Sequence, residues 1–359
     1  MLTAEGTQLG SVLIALLLLA LPLQVGVANG RGLGLLKRAQ EVTKNVHTQG
    51  QVGPACSPDG HWLAFEYHEA AEPHYPRVGI MDLSRDDHPW RPLLEGRRGS
   101  HLYVGDFSWS PDSRWLAAVT NYPNGSEGVW SDSDMQILKI NIYTEEKVRL
   151  TSFPPNTSFL PSTAWLRSGV VVFVGEDGNI YGVSDKGGEL RKLISAPTDN
   201  CGGVTNTFAV SPDEQSIAFE VDADGDNQVA ECDALWIGDL RTGYLRRAPT
   251  NGLRPLNPFW LDADTILFSG VEVNADKWLP TGIYMLLLSS GKMATLMKGL
   301  YLSPFVCDSG KALYFSWGPT LQSTSFGDEK KVIVNGFSGF HIWKTPLHDV
   351  VPYRRVAKK

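Results

Sequence analysis

The sequence predicts an all-β protein, a six-bladed β-propeller of four-stranded antiparallel blades, on three observations. A hairpin built around a Ser-Pro-Asp turn, or a relative of that turn, recurs about every fifty residues. Each copy is followed by a third apolar strand, and most third strands by a short basic-apolar one. A single four-stranded sheet cannot cover its own faces, so repetition at this period means that each sheet stacks on the next around a ring.

The hairpins are plainest at 55–67 (ACSPDGHWLAFEY), 109–120 (WSPDSRWLAAVT) and 210–221 (VSPDEQSIAFEV). Pro58, Pro111 and Pro212 preset φ for the turn, while Asp59, Asp112 and Asp213 can bond the backbone two residues on. The segments 164–175, 259–270 and 305–317 lose the proline but keep a turn between two apolar strands, which brings the count to six. Third strands follow at 78–83, 137–142, 180–185, 235–240, 283–288 and 342–347. Fourth strands carry a basic-apolar signature at 147–153, 190–196, 244–250 and 353–359. Two segments compete for the outer edge of the last blade: 35–45 (LLKRAQEVTKN), which resembles the same signature, and 350–356.

The Ser-Pro-Asp repeats and the IW/IY strands that follow them resemble the TolB-like propeller family, whose WD-like repeats also build the non-catalytic propellers of prolyl oligopeptidase-type enzymes. The resemblance covers residues 46–356. It implies a ring around a central channel, with protein or peptide binding at one mouth, and it is specific for fold rather than for activity.

Residues 1–28 read as a secretion signal, because Ser11–Leu21 is apolar and is followed by Pro22 and by small residues at Gly26 and Ala28. An uncleaved anchor is the competing reading, against which the run is shorter than the ~20 residues a bilayer needs. Residues 29–45 form an N-terminal segment and 46–356 a single propeller, periplasmic or secreted. A net charge of −7 leaves no basic field for a phosphate backbone, which argues against a nucleic-acid partner.

Known catalytic signatures are absent. No G-x-S-x-G nucleophile elbow, P-loop or H-E-x-x-H pattern occurs, so the chain reads as a propeller without a peptidase domain. Two stretches have metal-ligand character. Asp222, Asp224, Asp226, the Gln228 carbonyl and Asp233 fall at positions one, three, five, seven and twelve of a loop with EF-hand spacing, a candidate calcium site; Asn227 replaces its glycine, and Asp233 its longer glutamate. His68 and His74 in the HEAAEPH loop, with Glu69 and Glu72, form a candidate transition-metal set that His341 could join from the last blade. TolB-like polysaccharide lyases use metal-bound histidines, so the resemblance keeps open an alternative reading as a metal-assisted lyase or hydrolase of an extracellular polymer.

Tyr122, Trp130 and Trp278 lie in long loops after second strands and are candidate partner-binding aromatics, crowding one mouth with the 222–233 and 318–330 loops. Trp109, Trp236, Trp260 and Trp343 recur at strand positions and read as inter-blade core. Export permits disulfides. Cys201 and Cys232 flank one unit on the same face and are expected to pair. Cys56 and Cys307 sit on different blades and are expected to be buried and reduced. The function read from the sequence is therefore a non-catalytic, exported propeller that binds a protein or peptide through its loop-bearing face.

Overall fold

The computed structural model describes residues 39–48, 50–69, 72–94, 104–122, 135–154, 162–197, 204–221, 234–272, 280–307, 311–317, 323–324, 333–334 and 340–347. A short strand, β1 (Gln40–Glu41), precedes blade 1, which consists of β2 (Gly50–Cys56), β3 (Trp62–Glu69), β4 (Glu72–Asp82) and β5 (Trp90–Pro92). Blade 2 is β6 (Val104–Trp109), β7 (Trp115–Thr120), β8 (Gln136–Asn141) and β9 (Lys147–Arg149); blade 3 is β10 (Thr163–Trp165), β11 (Val170–Val174), β12 (Ile180–Ser184) and β13 (Arg191–Ile194). Blade 4 is β14 (Val204–Val210), β15 (Ser216–Val221), β16 (Ala234–Asp239) and β17 (Leu245–Ala248); blade 5 is β18 (Leu253–Trp260), β19 (Thr265–Glu272), β20 (Gly282–Leu287) and β21 (Lys292–Lys298). Blade 6 runs β22 (Tyr301–Cys307), β23 (Ala312–Trp317), then a two-stranded insertion of β24 (Ser323–Thr324) and β25 (Ile333–Val334), then β26 (His341–Pro346). Its outer strand is β1, from the other end of the chain.

Burial explains the sequence of each strand. Second strands are sandwiched between neighbouring blades and are apolar on both faces: Leu63, Ala64 and Phe65 in β3 and Ile266, Leu267 and Phe268 in β19 are fully buried. Fourth strands form the outer edge, where Arg191, Lys192, Arg246 and Arg247 stay exposed, and such charges discourage edge-to-edge pairing. The Ser-Pro-Asp motif is a hydrogen-bonded cap on the first turn. The hydroxyls of Ser57, Ser110 and Ser211 donate to Asp59, Asp112 and Asp213 at 2.5–2.6 Å and accept the backbone N–H of Trp62, Trp115 and Ser216 at 2.9 Å. The residue after the aspartate is left-handed in all three copies: Gly60 (φ 76°), Ser113 (φ 61°) and Glu214 (φ 58°).

One apolar cluster fills each of the six junctions between blades. Trp109 and Trp260 are buried in two of them, and each indole N–H donates to a carbonyl of the preceding blade's inner strand: Ala55 O at 2.9 Å and Ala209 O at 3.0 Å. Trp236 and Trp343 pack half-buried against two other clusters.

The cysteines of blades 1 and 6 correct the sequence reading. Cys56 and Cys307 are buried, as expected, but they form a disulfide, with α-carbons 5.7 Å apart. The expectation of reduced thiols rested on their being on different blades. Inner strands converge on the axis, however, so residues ending β2 and β22 approach within bridging range. Cys201 and Cys232 lie outside the described residues.

Candidate functional site

Inner strands β2, β6, β14, β18 and β22 each break register with their second strand partway along. In three of them the break falls at a left-handed residue followed by proline: Gly53 (φ 61°)–Pro54, Asn257 (φ 50°)–Pro258 and Ser303 (φ 50°)–Pro304. Proline has no N–H to give the ladder, and a bulge re-aims the side chains that follow it. The result is a channel of about 430 Å³ bounded by all six inner strands. Its lining is aromatic and prolyl, with Phe107, Trp109, Trp165, Phe208, Phe259, Phe305, Pro54, Pro258 and Pro304 among the residues that face it. Phe259 and Phe305 pack at 4.7 Å. Short polar groups, including Ser108, Ser162, Thr163, Thr207, Asn257 and Ser303, break up this surface.

At the hairpin-turn end a second space of about 540 Å³ continues the channel, sharing Cys56, Trp109, Trp165, Glu214, Phe259 and Phe305 with it. Its rim is formed by the turn prolines Pro58, Pro111 and Pro212, with Arg167 and the Cys56–Cys307 bridge. The mouth is therefore assembled from the residues that make the turns, so its shape follows from the repeat itself.

Charge in the channel is sparse and acidic. Glu66 and Glu214 line the inner cavity, whereas no Lys, Arg or His lines it among the described residues. Glu214 is already engaged: the Arg167 backbone N–H and Nε donate to its Oε1 at 2.8 and 3.0 Å, and Arg167 Nη2 donates to the Pro212 carbonyl at 2.6 Å. Glu66, in β3 opposite Val52, has its Oε1 3.2 Å from Nε2 of buried His68. In the adjoining turn, the Ser211 hydroxyl, and after it the Gln215 N–H, hold the Asp213 carboxyl below the usual carboxylate range.

The residues singled out from sequence fall elsewhere. His68 is buried at the end of β3, and among the described residues no group of three His, Cys, Asp or Glu side chains converges on a metal position. The backbone of His74 is in β4, with its side chain outside the described residues. His341 pairs with Glu41 across the β1–β26 ladder at 3.1 Å, not with His68. Tyr122 is half-buried against the blade 1–2 core, with Lys147 Nζ 5.4 Å from its ring. Asp222, Asp224, Asp226, Gln228, Asp233, Trp130 and Trp278 all lie outside the described residues. The resemblance implied a central channel, but sequence reasoning did not name the residues that line it, although a signal was available: Trp109, Trp165 and Trp260 occupy the same position at the end of an inner strand.

No family model and no curated protein sequence matches the chain. Its backbone is similar to that of TolB from Acinetobacter baumannii, at a TM-score of 0.50 and 16% identity, over 68% of this chain and 53% of that one. It is similar also to a putative TolB from Agrobacterium tumefaciens (TM-score 0.51, 14% identity, 83% and 90% covered) and to the GH74 enzyme of Niastella koreensis (TM-score 0.53, 12% identity, 78% and 42% covered). The chain spans about half the length of the Acinetobacter protein. At these identities the likeness shows the fold alone, a six-bladed propeller similar to that of TolB.

Proposed function

We propose that this chain is an exported binding module whose central channel receives an extended segment of a protein or peptide partner. The observation that carries this reading is the channel, a concave space of ligand size with a lining rich in aromatic and prolyl side chains and short polar groups. Aromatic-lined grooves suit extended chains, because each ring offers a large, rigid apolar face at small entropic cost. The likeness in fold to TolB proteins supports a partner-binding role, and the disulfide supports an oxidising compartment. Panning displayed random peptides on the intact protein tests it. Selected peptides should lose at least tenfold in affinity on Trp165→Ala or Phe259→Ala, with the melting temperature little changed. Peptides that bind these variants as well as wild type would place the site elsewhere.

A further inference from the structure

We infer that the channel selects a cationic group, an ammonium or guanidinium, with Glu66 as its counter-ion and the aromatic lining as its cage; this rests on the channel being the binding site. The two carboxylates of the cavity differ. Glu214 is already neutralised by Arg167, through a backbone N–H and the guanidinium together. Glu66 shares one oxygen with a ring nitrogen of His68, a contact that a neutral imidazole satisfies by donating its Nε2–H. That bond orients the carboxylate and leaves its second oxygen for a ligand. The Glu66 side chain is 20% exposed and lines the channel.

Complementarity then decides the ligand class. A carboxylate in a mostly apolar enclosure is costly to desolvate unless it is paired, so any ligand that displaces water from the channel must replace that hydration. A cation does so directly, and it gains again from ring faces, whose quadrupole is negative. Phe107, Trp109, Trp165, Phe208, Phe259 and Phe305 supply those rings. An anion would meet Glu66 with no cation among the described lining residues to pair with it. A neutral apolar group would fill the space but leave the second oxygen of Glu66 dry and the carboxylate without a counter-ion. About 430 Å³ accommodates one or two side chains of an incoming segment, not a folded domain, so the cation belongs on an extended end or loop of the partner.

The experiment uses three probes of one shape: benzylammonium, benzyl alcohol and benzoate. Each is titrated into the intact protein, with tryptophan fluorescence as the readout, since Trp109, Trp165 and Trp260 line the channel. Benzylammonium should saturate at least tenfold below benzyl alcohol, benzoate should give no response, and Glu66→Gln should abolish the preference while benzyl alcohol still binds. Equal affinity for the first two probes, or a preference that Glu66→Gln leaves intact, would overturn the inference. If Glu66→Gln does not fold, the wild-type ranking decides, with Trp165→Leu expected to weaken benzylammonium about fivefold. Peptides that need the channel without a cation preference would sink this inference alone. A benzylammonium preference without channel-dependent peptides would sink the peptide reading alone.

Discussion

In blade 5 the third and fourth strands are one hairpin, with six residue pairs between Gly282↔Lys298 and Leu287↔Lys292 and a tight turn connecting them. Blade 6 takes its fourth strand from the other end of the chain, with two residue pairs among the described residues, Gln40↔Lys344 and Glu41↔Trp343. The ring is thus open inside blade 6, between β26 and β1, rather than between two blades. What replaces the missing turn is a set of contacts with no counterpart among the described residues of blade 5. Thr43, fully buried, accepts the Ile342 N–H at 3.0 Å and donates to Gln51 Oε1 at 3.0 Å; Gln51 Nε2 reaches Thr48 Oγ1 at 2.7 Å, and its backbone N–H bonds the Phe340 carbonyl at 2.9 Å. At the inner rim, Cys56 and Cys307 hold positions that Trp109, Trp165 and Trp260 hold in other blades, and a covalent bond stands where, at two other junctions, the indole of Trp109 or Trp260 hydrogen-bonds the neighbour. The comparison teaches that a closed ring needs every junction equally sound: where chain connectivity is lacking, buried polar bonds and a disulfide restore it.

Removing the disulfide is the largest test of this view. The bridge joins residues 251 apart, and on the chain-entropy model a loop of that length stabilises by about 5 kcal/mol. Replacing Cys56 and Cys307 together by serine is therefore expected to lower the urea midpoint sharply and to raise hydrogen exchange first in β1, β2, β22 and β26. If the midpoint barely moves, or if blades 3 and 4 open first, the inner fastening is not what holds the ring closed.

A smaller pair of effects sharpens the contrast. Gln51→Leu leaves the Val46 carbonyl, the Thr48 hydroxyl and the Thr43 hydroxyl short of a buried partner and should cost about 3 kcal/mol. Trp260→Phe, at a junction closed by the chain itself, removes one neutral hydrogen bond to Ala209 and should cost about 1–2 kcal/mol. Chemical denaturation of both variants ranks them. The reverse order would mean that the Thr43–Gln51 network is incidental to closure.

How much of this was legible in the sequence follows from where the information lies. Strand order within a blade is local, and the turn at Ser57–Gly60 or Ser211–Glu214 announces itself through proline, aspartate and a left-handed position. The channel is not local. Phe107, Trp165 and Phe305 come from three blades, and only the closed ring makes them neighbours, so their side chains read as core until the strands are placed around an axis. The Cys56–Cys307 bridge was missed for the same reason, since proximity across the ring depends on how far inner strands converge. The Thr43–Gln51 network left no signal, because a buried threonine and glutamine look like any polar link between strands.

The smallest expected effect concerns a feature that the two regions share. Asp213, far from the opening in blade 6, is held below the usual carboxylate range chiefly by the Ser211 hydroxyl, while Asp59, beside it, is lowered too: burial pulls its pKa upward but is outweighed by bonds from the Ser57 hydroxyl and the His61 N–H. A folded value below the unfolded one, about 3.9, means that the carboxylate's contribution is present above that pH and is lost as pH falls through the folded value. Asp213→Asn and Asp59→Asn should each be slightly less stable than wild type near neutrality and converge with it as the medium becomes strongly acidic, as judged from urea midpoints along a pH series. Because the turn is the same at both places, the two variants should lose their deficit over the same acid range. A deficit that stays constant with pH would show that the aspartates act by shape alone. A deficit much larger for Asp59→Asn would show that the pull of the Ser113 hydroxyl on the Asp59 carboxylate, across the junction between blades 1 and 2, matters more than the turn it caps.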